Sequence, residues 1–219
     1  MRISESRQRS LAGMDADTRR RVEAAALGLF SSQELHKVKL IDIATEARIS
    51  LQTVYKYYGS KETLLLSCMD VWLGDLAQRI IDHLQAIENH KDRLRKVFRL
   101  LLDYFQTNPQ VARIIMSSVY LDTWRDDDTF RQPELMTLFL KVLRDGRNQG
   151  VLSQEVDETE LLDIFLGVAT RRVSMWLVRG QQTSLTTNSA TVFEMLWRAM
   201  AAPAESDRAA APRGRGTPA

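Results

Sequence analysis

The stretch from residue 40 to residue 66, LIDIATEARISLQTVYKYYGSKETLLL, restricts the fold more than any other part of the chain. Apolar residues recur at helical spacing near its start, which predicts a short helix of about two turns with one apolar face. The pattern breaks over residues 47–50, where Ser50 can cap the next helix by accepting a hydrogen bond from the amide of Thr53. The stretch therefore predicts two short helices joined by a tight turn, followed from Lys61 by a longer helix.

The second short helix has an outward face of unusual composition. Ile49, Val54 and Tyr58 are predicted to pack inward. The remaining side chains are predicted to face outward: Leu51, Gln52, Thr53, Tyr55, Lys56 and Tyr57. Such a surface suits DNA, because glutamine and threonine can reach base edges, while lysines and tyrosine hydroxyls can bond phosphates. The alternative is that the tyrosines at 55 and 57 belong to the core of a small bundle.

The spacing of particular residues in this stretch matches a known signature. These residues are Ile43-Ala44, Ile49-Ser50, Thr53-Val54-Tyr55, Tyr57-Tyr58, Ser60-Lys61-Glu62 and Leu64-Leu65. Over about residues 18 to 70 the chain resembles the helix-turn-helix domain of the TetR family of repressors. The resemblance implies that Thr53, Tyr55 and Lys61 hold phosphates. It places the following side chains where family members read bases: Leu51, Gln52, Lys56 and Tyr57.

Two positions depart from the family pattern. Arg48 stands where the family usually has glycine, and Lys39 stands where it usually has a serine or threonine cap. A non-glycine residue in a left-handed turn costs roughly 1 kcal/mol, which a packed motif can absorb. Lys39 cannot cap with its side chain, but Asp42 in the first turn compensates by meeting the positive end of the helix. We expect Lys39 and Arg48 to lie on the DNA-binding surface, with Lys39 near a phosphate.

The distribution of charge supports this surface more than the net charge does. The 219 residues carry a formal net charge of only +2. Residues 1–61, however, contain eleven Lys/Arg against seven Asp/Glu, an excess of four positive charges beside the proposed reading helix. A single cysteine, Cys68, excludes an intramolecular disulfide and suits a reducing cytoplasm. No apolar run approaches the ~20 residues of a membrane span, and no signal-peptide core is present.

The rest of the chain is predicted to be helical, which gives an all-α fold with two domains. Helical periodicity recurs over about residues 17–30, 61–89, 91–106, 109–124, 133–146, 158–179 and 187–201. We predict a disordered basic arm at 1–14, a three-helix DNA-binding domain at 15–62, an effector-binding and dimerisation domain at 63–202, and a disordered tail at 203–219.

The last two helices are apolar around most of their circumference, so they must be covered on more than one side. In the TetR family these helices pair with those of a second subunit, and the resemblance implies a homodimer that places two reading helices on a palindromic site. The expected interface residues are Leu162, Phe165, Leu166, Val173, Phe193, Leu196, Trp197 and Met200.

The resemblance also implies a small-molecule pocket between the middle helices. Aromatic, methionine and isolated polar residues on otherwise apolar helices are the candidates for its lining: Tyr104, Phe105, Met116, Tyr120, Trp124, Arg172 and Trp176. The alternative for each is ordinary core packing. A mostly apolar pocket would favour a lipid-like or acyl-CoA effector, whose anionic group Arg171 or Arg172 could pair with.

Other classes of function are not supported by motifs. The chain has no nucleophile elbow, metal-ligand spacing or dinucleotide fingerprint, so we expect no enzyme activity, metal or cofactor. A helical enzyme and a helical interaction protein remain the alternatives to a ligand-responsive transcriptional regulator, most often a repressor. Sequence-selective, salt-dependent DNA binding would separate them.

Overall fold

The computed structural model describes residues 13–117 and 133–203, and the all-α prediction is confirmed there. The helices are α1 (Ala16–Ser32), α2 (Leu40–Glu46), α3 (Leu51–Tyr57), α4 (Lys61–Ala86), α5 (His90–Thr107), α6 (Pro109–Ser117), α7 (Pro133–Asn148), α8 (Glu158–Val178) and α9 (Ser189–Met200). Within the described ranges the only β-type pairing is an isolated antiparallel bridge between Leu152 and Ala201. The predicted continuation of α6 to residue 124 lies outside the described residues, as do most of the predicted arm and tail.

Side-chain caps explain where several helices begin. Each capping oxygen accepts a hydrogen bond from an amide in the first turn, an interaction that stabilises a helix by about 1 kcal/mol. The pairs are Asp15 with Thr18 (2.9 Å), Ser50 with Thr53 (3.0 Å), Ser60 with Thr63 (3.1 Å), Asn89 with Asp92 (3.0 Å) and Asp157 with Glu160 (2.9 Å). The sequence prediction for Ser50 is therefore confirmed.

The first hydrophobic core joins α1, α2, α3 and the first turns of α4. Val22, Ile43, Val54 and Leu64 have no exposed surface in this core. Met14 is also buried there, and its sulfur accepts a hydrogen bond from the Tyr58 hydroxyl at 3.8 Å. Met14 is the last residue of the predicted basic arm, and a lone methionine has no periodicity that would reveal this packing.

The second core lies between the rest of α4 and helices α5 to α9. Its centre is a group of phenylalanines. The ring centroid of Phe98 lies 5.9 Å from that of Phe165 and 5.9 Å from that of Phe193. The edge-to-face arrangement of Phe98 and Phe165 is one that aromatic pairs favour. The last two helices therefore contribute aromatic side chains to the protomer's own core.

This packing involves most of the residues of the predicted dimer interface. Six of its eight residues are buried within one protomer: Leu162, Phe165, Val173, Phe193, Leu196 and Met200. Only Leu166 and Trp197 are half-buried. Periodicity shows that a helix is apolar on several sides, but not which side its own chain covers.

Helix α6 contacts both cores. Ala112 is fully buried in the second core, whereas Ile114, two residues later, is fully buried in the first. Arg113 lies 3.5 Å from the carbonyl oxygen of Ser31 at the end of α1, and the Ser174 hydroxyl of α8 lies 3.2 Å from the Met116 sulfur. A movement of α6 would therefore change contacts with both α1 and α8.

None of the helices in the described ranges is both long enough and apolar enough to cross a lipid bilayer.

Candidate nucleic-acid interface and effector region

The turn between α2 and α3 fixes the position of the reading helix. Arg48 has φ 55°, the left-handed conformation expected from the glycine that the family has there. Its amide donates to the Thr45 carbonyl at 3.1 Å, and the amide of Ile49 donates to the Ala44 carbonyl at 3.0 Å. These two bonds form a Schellman motif, the usual hydrogen-bonded end of a helix that stops at a left-handed residue.

The outward face of α3 agrees with the sequence prediction only in part. Gln52, Tyr55 and Lys56 are exposed, and 53% of the Tyr55 surface is accessible. Leu51 and Tyr57 are half-buried because they also pack against the first core. The exposed side chains therefore form a narrower face than predicted.

The inward residues of α3 explain how this face is held. Val54 has no exposed surface, and Tyr58 is 1% exposed, as predicted for a core residue. Burial raises the pKa of the Tyr58 phenol well above its ordinary value, so the hydroxyl stays neutral. Thr53 is half-buried, with its hydroxyl 2.8 Å from that of Ser50.

Several of the predicted phosphate-binding residues line one open cleft of about 480 Å³ between the start of α2, α3 and the start of α4. Its lining includes Lys39, Ile41, Leu51, Tyr55, Ser60 and Lys61. The sequence analysis did not place Ile41 or Ser60 on the DNA-binding surface, although the 47% exposure of an isoleucine beside this cleft is unusual for a solvated face. The hydrophobicity of Ile41 was a signal that could have identified it.

Three of the four cations expected on this surface, Lys39, Arg48 and Lys61, have different surroundings. Lys39 is exposed, and its amide donates to the Asp42 carboxylate at 3.3 Å, which is the compensation predicted for its missing cap. Arg48 is also exposed. The Lys61 ammonium is half-buried and donates to the Leu35 carbonyl at 2.7 Å, so one of its three protons already has an intrachain partner.

Within residues 13–117 and 133–203, the effector candidates do not all line one cleft. Tyr104 lines a cleft of about 340 Å³ between α1, α4, α5 and α6, whose other lining residues include Leu27, Trp72, Asp75 and Asn108. Its hydroxyl donates to the Trp72 carbonyl, and burial raises the pKa of Tyr104 to about 12. Phe105 is buried beside it with the two ring centroids 5.5 Å apart.

The remaining described candidates lie near α8. Arg172 and Trp176 line a second cleft of about 310 Å³ against residues 179–188. Arg172 donates to the carbonyls of Leu185 and Thr187, and the Trp176 indole donates to the Thr183 carbonyl at 2.8 Å. Both side chains thus hold the loop before α9.

The sequence could not separate these anchoring residues from ligand-binding ones, because their partners are backbone atoms of a neighbouring segment. Met116 is half-buried against Ser174. Tyr120 and Trp124 lie outside the described residues.

The side chains with redox or metal-binding chemistry are dispersed. Cys68 is buried, and burial raises the pKa of its thiol, which keeps it protonated and unreactive. In residues 13–117 and 133–203 no group of three or more histidine, cysteine, aspartate or glutamate side chains could hold a metal ion.

The sequence also missed Arg21, which donates from α1 to the turn before the reading helix. No local pattern could reveal this contact, because an arginine on a helix surface is ordinarily a solvated side chain.

Both halves of the chain match family models. Residues 24–68 match the model of bacterial regulatory proteins of the tetR family, and residues 70–199, more than half of the chain, match the model of the C-terminal region of YsiA-like proteins. The chain is 27% identical to the HTH-type transcriptional repressor SCO4008 of Streptomyces coelicolor over 153 residues. This match covers 69% of this chain and 76% of that protein.

Two further comparisons concern a regulator of Bacillus subtilis. The chain is 23% identical over 180 residues to the fatty acid metabolism regulator protein of that organism, covering 78% of this chain and 90% of the relative. The crystal structure of the transcriptional regulator FadR from Bacillus subtilis in complex with stearoyl-CoA matches with a TM-score of 0.71 at 18% identity, over 80% of this chain and 96% of that one. The family-model matches over residues 24–68 and 70–199 show that the chain is a transcriptional regulator of the TetR family.

Proposed function

We propose that the protein binds a palindromic operator as a homodimer, most often to repress transcription, and that a lipid-like or acyl-CoA effector releases it. The observation that carries DNA binding is the exposed face of Gln52, Tyr55 and Lys56 on a helix whose two ends are fixed by the Schellman turn and the buried Tyr58. A rigidly held helix with such a face can enter a major groove.

We assign direct roles to these exposed side chains. Gln52 is placed to read a base edge, and Lys56 and Tyr55 can contact base edges or phosphates beside it. Lys39, Tyr55 and Lys61 share the cleft between the helix ends, so a phosphate seated there would meet two ammonium groups and a phenol. Arg48, Leu51, Thr53 and Tyr57 complete the proposed surface.

The two hydrophobic cores suggest two domains with separate functions. We propose that residues 15–62 bind DNA and that residues 63–202 bind the effector and form the dimer, with α4 passing from one part to the other. Helix α6 contacts both cores, which supports it as the element that transmits the state of the effector site to the reading helix.

Selection from a randomised duplex library tests the DNA-binding part. The wild-type protein should enrich a palindrome, and a Gln52→Ala, Lys56→Ala double variant should lose that enrichment, because both side chains lie exposed on α3. Lys96→Ala serves as the control, because it removes an exposed lysine from α5. If the double variant enriches the same palindrome as wild type, α3 is not the reading helix.

The effector class is supported by the regulators that the chain resembles. One relative is named a fatty acid metabolism regulator, and the fold matches a regulator crystallised with stearoyl-CoA. In this chain Arg172 already binds two backbone carbonyls, so Arg171, which is exposed, is the better candidate of the two for an anionic group.

Thermal denaturation with a panel of saturated acyl-CoA thioesters, free fatty acids and sterols tests this class. A ligand that binds the folded state raises the melting temperature, and the stabilisation grows with the logarithm of its concentration relative to the dissociation constant. An acyl-CoA that stabilises the protein and also lowers its affinity for the selected duplex would establish the effector. Stabilisation by none of the lipids would exclude the proposed class while leaving DNA binding intact.

The relatives are transcription regulators and not enzymes. The absence of catalytic activity in this chain is part of the same proposal. A helical interaction protein would be indicated instead if the wild type bound DNA without sequence preference at physiological salt.

A further inference from the structure

Arg21 of α1 contacts the turn of the helix-turn-helix, although it lies 26 residues before that turn in the chain. Its Nη1 donates to the carbonyl oxygen of Ala47 at 2.9 Å and lies 3.4 Å from that of Arg48. On its other side, Nη2 donates to the Thr18 hydroxyl at 3.2 Å, and Nε lies 3.2 Å from the Asp17 carboxylate. The guanidinium is thus held by its own helix while it holds the turn.

The turn needs an outside donor. The last residues of a helix leave carbonyl oxygens without intrahelical partners, and the Schellman bonds use those of Ala44 and Thr45. Arg21 supplies a donor to the carbonyl oxygens of Ala47 and Arg48, the two residues that form the turn itself. A positive charge is also favourable at this point, because the carboxyl end of α2 carries the negative end of the helix dipole. A planar guanidinium can reach two adjacent carbonyls while keeping its contacts on α1, which an ammonium cannot do.

The conformation that Arg21 holds is a strained one. Arg48 has φ 55°, and an arginine in this region lacks the freedom of glycine. If the turn relaxed, α3 would leave α2 in a different direction, because Ser50 begins α3 only two residues later. The exposed side chains on α3 would then no longer share one orientation relative to the groove.

We propose that Arg21 is a positioning residue for DNA recognition: it fixes the Ala47–Arg48 turn and thereby the orientation of α3. This inference rests on the proposed function. Nη1 donates to the turn and Nη2 to Thr18, while Nε is buried 3.2 Å from the Asp17 carboxylate without a hydrogen bond, so we expect Arg21 to act through the turn and not by binding a phosphate.

Arg21→Met tests the role, and Arg20→Met is its matched control. Arg20 is the neighbouring arginine on α1; it is exposed and lies 3.4 Å from Asp17. Both variants remove one positive charge from the same helix. Binding to the selected duplex is measured by fluorescence anisotropy from about 50 mM to about 300 mM salt, at a temperature where circular dichroism shows every variant folded.

Arg21→Met should weaken the affinity about tenfold, because it removes a charge-assisted hydrogen bond. The slope of log affinity against log salt should match that of wild type, since no phosphate contact is lost. Arg20→Met should change the affinity by less than about twofold, as expected for an exposed charge. Hydrogen exchange of the amides from 47 to 50, measured without DNA, should become faster in Arg21→Met only.

A second background isolates the turn. Glycine adopts the left-handed conformation without strain, so Arg48→Gly should reduce the dependence on Arg21. In that background Arg21→Met should weaken binding by about threefold or less, against about tenfold in the wild type. An equal loss in both backgrounds would overturn the role through the turn.

The other outcomes distinguish failure of the positioning role of Arg21 from failure of the proposed DNA-binding function. A salt slope that falls by about one in Arg21→Met would make Arg21 a direct phosphate contact. If wild type binds the duplex and Arg21→Met behaves like Arg20→Met, the positioning role of Arg21 is wrong, while the proposed DNA-binding function stands. If wild type selects no duplex at all, the proposed function fails, and the role of Arg21 in recognition fails with it.

Discussion

His90 is a buried titratable residue that plays no part in the proposed DNA surface. It is 8% exposed at the first residue of α5, and neither ring nitrogen has a hydrogen-bond partner among the described residues. Burial lowers the pKa of this imidazole, Arg93 lowers it further, and Asp145 on α7 opposes both effects. Protonation would also place a positive charge at the positive end of the α5 dipole.

The sign of the pH dependence follows from this lowered pKa. The unfolded state, with an ordinary imidazole pKa of 6.5, binds the proton first as the pH falls. The contribution of neutral His90 to the free energy of unfolding is therefore complete above pH 6.5, and it is lost as the pH falls toward the folded-state pKa. We predict that the free energy of unfolding, measured in urea, decreases between about pH 7.5 and about pH 5.5, and that His90→Leu reduces this decrease.

The exposed His36 supplies the control. It lies in the turn before α2 with 69% of its side chain accessible and Nε2 3.3 Å from the exposed Glu34 carboxylate, so His36→Leu should change the slope with pH much less than His90→Leu does. A backbone hydrogen bond and Arg144 lower the pKa of Glu158, and Lys91 and Arg95 lower that of Glu194, so both carboxylates titrate even further below this window than an ordinary glutamate. An equal flattening by both histidine variants would show that burial of His90 is not the cause.

At the scale of an element, α6 should decide how strongly the two cores depend on each other. Ile114 is its fully buried contribution to the first core. Truncating a buried isoleucine to alanine costs roughly 2–5 kcal/mol through lost burial and the cavity that remains. We predict that Ile114→Ala lowers the free energy of unfolding by this amount and accelerates hydrogen exchange most in α1, with little change in α8.

Gln110→Ala is the matched control on the same helix, because Gln110 is exposed. It should change the free energy of unfolding by less than about 0.5 kcal/mol. Exchange that rises equally in α1 and α8 of Ile114→Ala would mean that the two cores already unfold as one unit, and that α6 does not serve as a separable link.

The elements were more predictable from sequence than the contacts between them. The capping serine at 50 and the left-handed residue 48 are local features, so their chemistry could be assigned from neighbouring residues. The contact of Arg21 with Ala47 joins distant parts of the chain and leaves no periodic signal. Likewise, apolar spacing identified α8 as covered on several sides but could not divide those sides between the protomer and a partner.

At the scale of the whole molecule, the exposed apolar residues indicate which side of α8 the protomer itself leaves uncovered. The large apolar residues exposed in the described part of the chain are Ile41, Tyr55, Val71, Ile164, Val178 and Met195. Three of these six lie on α8 and α9. Ile164 and Val178 are fourteen positions apart, close to four full turns, so they share one face of α8. We propose this face, with Met195 of α9, as the dimer interface in place of the buried residues.

Replacing two of these residues should separate the subunits without unfolding them. Ile164→Asp, Met195→Asp places two carboxylates on a surface that must lose water when the dimer forms, and neither side chain is part of the buried core. We predict a helical monomer by light scattering and circular dichroism. Its affinity for the selected palindrome should fall about a hundredfold or more, because one reading helix then acts alone.

Val71→Asp tests whether any exposed apolar position would give the same result. Val71 is 42% exposed on α4, comparable with the 37% of Ile164, but it lines the cleft beside Trp72. This variant should remain a dimer and bind the palindrome like wild type. If the double variant also remains a dimer, the outward face of α8 and α9 is not the interface. If it becomes a monomer with unchanged affinity, the two reading helices do not act as a pair, and a palindromic operator read by a homodimer is excluded.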